Sequence, residues 1–210
     1  MAPVPPPQLS ARKSPRQARA TATLEAIFEA TIQVLLTDGP TRLTTTRVSA
    51  RAGVSVGTMY QYYPHKQALL YAVTERYLNT VAETVERTCL QNHGAPLAQM
   101  SDTLVKAYWD AKTMQRNATR ALYLVALEVN TSDLAEACMQ RIEAATAAMF
   151  DSAPDAKFAD LALVNLTFLT VLFGTVRSLF TRKMTEESER RVGDELSVMC
   201  LRYLEASKIA

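Results

Sequence analysis

Apolar residues in this chain recur at helical spacing in one block after another. No stretch shows sustained period-2 alternation of β-branched residues. Leu24, Ile27, Phe28, Thr31, Val34 and Leu35 line one face; Leu69, Leu70, Val73, Tyr77, Val81 and Val85 line another. Spacing of three and four places such residues on one side of a 3.6-residue helix, whereas a half-buried strand needs alternation. Pro40, Pro64, Pro96 and Pro154 fall where a period breaks, as expected of a residue without a helix donor. The pattern predicts an all-α chain of about nine helices, near 16–37, 46–52, 56–63, 66–88, 97–111, 118–129, 134–150, 155–182 and 186–206.

Charge divides the chain unevenly. Residues 1–66 carry 8 Lys or Arg and 3 Asp or Glu, and residues 67–210 carry 15 and 18. A basic end on a mildly acidic body suggests a polyanion-binding head with a second task behind it. Residues 1–15 hold five of the nine prolines and read as a disordered basic arm, residues 16–66 as the head, and residues 67–210 as the body. Arg12, Lys13, Arg16 and Arg19 have no apolar run after them, so the start does not read as a secretory signal. Residues 161–176 are charge-free but short of the roughly 20 that span a bilayer, so no membrane partner is expected. Cys89, Cys138 and Cys200 stand alone and the only histidines are His65 and His93. This argues against a metal site, a cofactor or a disulfide framework and for the cytoplasm. Neither a nucleophile–base pair nor a metal set is visible, so no enzyme is expected.

The informative stretch runs from Leu43 to Leu70. Two short helices are joined by Ala52-Gly53-Val54-Ser55. Gly53 permits the positive φ of a tight turn, and Ser55 is a good N-cap. Val48, Ala52, Val54 and Met59 are spaced to fill the wedge between the helices, and Ser49 is small where they come closest. This is the pattern of a helix-turn-helix whose second helix enters a major groove. In that helix Gly57 costs about 1 kcal/mol relative to Ala but lets another backbone come near. Tyr60 and Tyr62 carry hydroxyls on rigid arms, and Thr58 offers a hydroxyl to phosphate or a methyl to thymine.

Thr45, the Ala52-to-Ser55 run, Gly57-Thr58, Tyr60, Tyr62 and Lys66 with Leu69-Leu70 together resemble the DNA-binding signature of the TetR (tetracycline-repressor-like) family of bacterial transcription regulators. The resemblance covers roughly residues 20–75. It implies a three-helix head, a connecting fourth helix and a helical ligand-binding and dimerising body. Thr45 and Thr46 would touch phosphates or a base, Val56, Gly57 and Thr58 base edges, Tyr60 and Tyr62 the backbone and a thymine methyl, and Lys66 a phosphate. Arg12, Lys13, Arg16 and Arg19 would reach flanking phosphates or the minor groove. Ser49 departs from the usual Ala, so its hydroxyl needs a backbone acceptor, and His65 departs from the usual capping residue.

The resemblance further implies a dimeric repressor on a palindromic double-stranded operator, released by a small-molecule inducer that tilts the fourth helix. Tyr108, Trp109, Tyr123, Glu128, Asn165 and Phe168 are candidates for the inducer site, with Glu128 or Asn165 as its polar handle. The eighth helix carries more apolar surface than one bundle hides. Leu169, Leu172, Phe173, Val176, Leu196 and Met199 are therefore expected at a homodimer interface formed by the last two helices.

Overall fold

The computed structural model describes residues 18–126, 128–182 and 184–209. Arg12, Lys13 and Arg16 lie outside them, as does the side chain of Arg19, whose backbone belongs to the first helix. The described residues form nine α-helices: α1 (Ala18–Asp38), α2 (Thr45–Ala52), α3 (Val56–Tyr62), α4 (Lys66–Gln91), α5 (Leu97–Thr113), α6 (Arg116–Val125), α7 (Ser132–Asp151), α8 (Leu161–Thr181) and α9 (Glu186–Ala206).

The ends of these helices follow from local chemistry. Thr44 caps α2 by accepting the Arg47 N–H at 3.2 Å. Ser55 caps α3 by accepting the Thr58 N–H at 2.9 Å. His65 Nδ1 accepts the Ala68 N–H at 3.2 Å, so the unusual histidine still caps the start of α4. Thr185 caps α9, whose first turn holds Glu186, Glu187 and Glu189 against the positive end of the helix dipole. α8 starts at Leu161, later than the expected 155, because Asp160 accepts the Leu163 N–H at 3.0 Å. The residues before it are engaged elsewhere. Phe158 forms an isolated antiparallel bridge with Lys208, and the Ile209 N–H donates to the Lys157 carbonyl at 2.9 Å.

The chain divides into two compact units. Of the described residues, one takes in those up to Asn79 together with those of 116–137; the other holds Thr80–Gln115 and those from Cys138 onward. The first unit thus extends past residue 66 and takes in α6. Its core joins Ile27, Leu35, Val48, Met59, Leu69 and Leu70 to Ala121 and Val125, each nearly or wholly buried. Tyr77 bonds Thr119, and Tyr71 donates to the Asp133 carboxylate, so side chains of α4 hold both α6 and the start of α7.

In the second unit, Leu104, Ile142, Phe150, Phe168, Leu172, Val176 and Leu196 are buried between α5, α7, α8 and α9. Phe150 meets Phe168 edge-on at 5.3 Å. Arg141 of α7 grips Glu86 of α4 through two bonds, at 2.8 and 2.7 Å. By length and composition residues 161–180 are apolar enough to cross a bilayer, which exceeds the sequence expectation. One face of this helix, with Asn165, Phe168, Leu169, Leu172 and Val176, nonetheless lies inside a helical core.

Candidate nucleic-acid interface

The turn between α2 and α3 has the geometry its residues dictate. Gly53 stands at φ +67°, in the left-handed region, and the Val54 N–H closes on the Ser49 carbonyl at 3.0 Å. Val48 and Met59 are fully buried in the wedge. Ser49, also fully buried, donates its hydroxyl to the Thr45 carbonyl at 2.9 Å and so finds the acceptor it needs. Asp38 accepts from Arg47 at 2.8 Å, and Gln33 accepts from Arg51 at 2.6 Å. Both arginines thus fasten α2 to α1.

What remains outward is a neutral edge. Tyr60 is 43% exposed and Val56 39%. Thr46 and Gly57 are exposed and Thr58 is half-exposed. A Cβ at Gly57 would meet only Ser55 Oγ, at 3.7 Å, so the fold itself does not demand a glycine there. Gln61 shares this edge and is exposed. Sequence reasoning passed over it, although a Gln on a recognition helix has the donor and acceptor to pair with adenine.

Three expected contact residues sit less openly. Thr45 is 8% exposed and donates its hydroxyl to the Tyr60 hydroxyl at 3.4 Å. Tyr62 is 6% exposed, its ring tilted against Tyr63, so its body belongs to the core of the head. Lys66 donates to the Pro40 carbonyl at 2.9 Å and to the Glu128 carboxylate at 3.0 Å.

The six residues expected at an inducer site are divided. Tyr123 and Glu128 lie in the first unit, and Tyr108, Trp109, Asn165 and Phe168 in the second. Glu128 is engaged by Lys66 and so is withdrawn as a polar handle. Tyr108 is buried and packs on Phe173 at 4.6 Å. Asn165 is buried and donates to the Glu143 carbonyl at 3.0 Å, while its Oδ1 has no partner. Trp109 packs instead on Gly193, beside a cavity of about 350 Å³ whose other walls include Asp102, Lys106, Asp110, Arg190 and Asp194. This lining is largely charged.

Sequence reasoning also missed Lys112. It is 7% exposed, its ammonium lies 5.6 Å from the Tyr108 ring centre, and burial lowers its pKa to about 8. The signal was present: Leu104, Tyr108 and Lys112 are spaced by four on one face of α5. Burial pushes the Cys89 and Cys200 thiols up to about 12 and raises Cys138 as well, which disfavours the reactive thiolate.

Most of the residues expected at a dimer interface face inward. Leu169, Leu172, Val176 and Leu196 are buried within their own chain, so a second copy cannot reach them without opening that core. They pack inward because α8 is apolar on every side and its own unit claims one of them. Phe173 is half-buried, and Met199 is 48% exposed. Leu163, Leu166 and Val198, at 58, 51 and 56% exposed, join Met199 as the apolar surface left over on α8 and α9.

A capped, glycine-turned pair of short helices on a small head, together with a separate helical body, defines a helix-turn-helix DNA-binding regulator of transcription. Residues 27–73 match the family described as bacterial regulatory proteins, tetR family, and residues 96–204 match the tetracyclin repressor-like C-terminal domain. The chain belongs to the TetR family, whose members are regulators rather than enzymes and typically respond to ligands.

Solved structures share the fold at low identity. A TetR-family regulator from Mesorhizobium loti MAFF303099 aligns with a TM-score of 0.71 at 16% identity, over 92% of this chain and 100% of that one. SmeT, in a triclosan complex, gives 0.68 at 19%, over 90 and 92%. The fatty acid degradation regulator FadR from Bacillus halodurans gives 0.65 at 13%, over 91 and 96%. Comparison with curated proteins gave no match.

Proposed function

We propose that this protein is a cytoplasmic, dimeric repressor that binds a palindromic operator through α2 and α3. A small hydrophobic or aromatic molecule in the second unit releases it. The observation that carries this reading is the outward edge formed by Thr46, Val56, Gly57, Thr58 and Tyr60. It offers hydroxyls, a methyl-bearing rim and an unobstructed glycine, and no carboxylate that would repel phosphate. Lys66 and the arm residues Arg12, Lys13, Arg16 and Arg19 add cations, while Thr45 and Tyr62 act mainly by holding the edge in place.

Dimerisation is supported by the apolar side chains left exposed on the last two helices. In a two-fold pairing, Leu163, Leu166, Val198 and Met199 of each copy would face those of the other. For the ligand, Tyr108, Phe173 and Phe168 supply aromatic surface. Asn165, with an unmet acceptor in an apolar interior, supplies the polar handle. Trp109 and Tyr123 remain candidates from separate places.

Titrating palindromic duplexes from the gene's own upstream region, with binding followed by fluorescence anisotropy, tests the reading. Tyr60→Phe keeps the fold and weakens binding severalfold. An unchanged affinity in Tyr60→Phe and in Thr58→Val would remove the assigned edge.

A further inference from the structure

Lys66 is the one cation of the signature stretch that opens α4, and it is not free to serve phosphate alone. Its ammonium has three donors. One goes to the Pro40 carbonyl at 2.9 Å, in the α1–α2 connection, and a second to Glu128 at 3.0 Å, in the α6–α7 connection. Both partners belong to the same compact unit as Lys66, although Glu128 stands 62 positions away in sequence. The pair is not solvated out of significance, since the side chains are 21 and 27% exposed. One donor remains to meet an outside oxygen.

We propose that Glu128 is an internal rival of the DNA backbone: its carboxylate occupies Lys66 as a phosphate would and so sets the affinity of the head for duplex. A phosphate reaching the third donor of Lys66 comes close to a carboxylate of the same sign, and the two repel. A phosphate taking Lys66 fully must first break the Lys66–Glu128 bond. Either way Glu128 lowers the yield of a contact that would otherwise release one counterion. It touches no nucleic acid itself and acts through Lys66, so it is a positioning residue. The inference rests on the reading of Lys66 as a phosphate contact.

The test is a two-residue cycle in the full chain: parent, Glu128→Gln, Lys66→Met and the double variant. The probe is a short mixed-sequence duplex titrated between about 50 and 200 mM salt, where backbone contacts are read directly. Thermal melts confirm that all four proteins fold. Glu128→Gln is expected to tighten binding about fivefold, the scale of one partly exposed ion pair. Lys66→Met is expected to weaken binding and to flatten the log–log salt slope by about 0.9, one phosphate contact. In the Lys66→Met background the gain from Glu128→Gln should shrink to within about twofold. A looser or unchanged Glu128→Gln overturns the proposal, and so does an equal gain in both backgrounds, which would reflect net charge alone. If Lys66→Met leaves the salt slope unchanged, the phosphate role of Lys66 itself fails. That failure is separate from one in which Lys66 matters and Glu128 does not.

Discussion

Leu166→Glu puts the dimer to the test. Leu163, Leu166, Val198 and Met199 are each about half exposed. Together they amount to about two whole apolar side chains per protomer and four per dimer. At about 1.5–3 kcal/mol for each side chain taken out of water, the stripe supplies roughly 6–12 kcal/mol. Association costs at least about 4 kcal/mol in lost translation and rotation, so this stripe decides whether two copies stay together at micromolar concentration. Two-fold symmetry doubles any change. Losing half a leucine from each copy removes about 1.5–3 kcal/mol, and drawing two carboxylates into the seam costs several more. The dissociation constant should rise at least about 100-fold. Sedimentation velocity at micromolar concentration reads this directly, with circular dichroism to show that the helices persist. Leu90→Glu is the control. Leu90 is 78% exposed on α4, not on α8 or α9, and its replacement should leave the dimer unchanged. A Leu166→Glu protein that sediments as the parent does, or a parent that is monomeric at the same concentration, would refute the argument.

Three further perturbations have definite signs. Gly53→Ala introduces no clash, since nothing lies within 4 Å of the new Cβ, but forces a side chain into φ +67°. It should cost about 1–2 kcal/mol in denaturant unfolding, and an unchanged midpoint would contradict the left-handed turn. Lys112→Met removes a buried ammonium whose folded pKa, about 8, lies below the ordinary 10.5. Below pH 8 the parent carries the whole penalty of the buried charge. Between pH 8 and 10.5 the unfolded chain binds more protons than the folded one, so the parent gains stability as pH rises. The variant should therefore be more stable at pH 7, by an amount on the order of 2–3 kcal/mol, and the gap should close toward pH 10. A gap that does not vary with pH would refute this. The buried thiols pull the other way above pH 9, but they are present in both proteins and largely cancel in the difference. At pH 7 iodoacetamide should modify the folded protein slowly, and DNA binding should outlast treatment; rapid loss of binding would revive a redox role.

The helix-turn-helix was legible in the sequence because local chemistry fixes it. A glycine that must take φ +67°, a serine that must cap and a methionine that must fill a wedge lie within seven residues of one another. Helix ends at the prolines were readable for the same reason. The start of α8 was not, since the bridge from Phe158 to Lys208 spans fifty positions and leaves no period behind. The division of α8 between core and partner was hidden for another reason. Leu163, Leu166, Leu169 and Leu172 are chemically equivalent on paper, yet the first two stay exposed while the last two are buried. Only the placement of α5, α7 and α9 decides which leucine a second copy can touch. Lys66 and Glu128 make the same point with charge. Each was assigned alone, one to phosphate and one to a ligand, because opposite charges 62 residues apart have no visible relation. Once the fold brings them to 3.0 Å, neither can act without the other. If Lys66 meets phosphate as proposed, the affinity of the head for DNA becomes a property of the pair, and a substitution in the α6–α7 connection should change it as one on the recognition helix would.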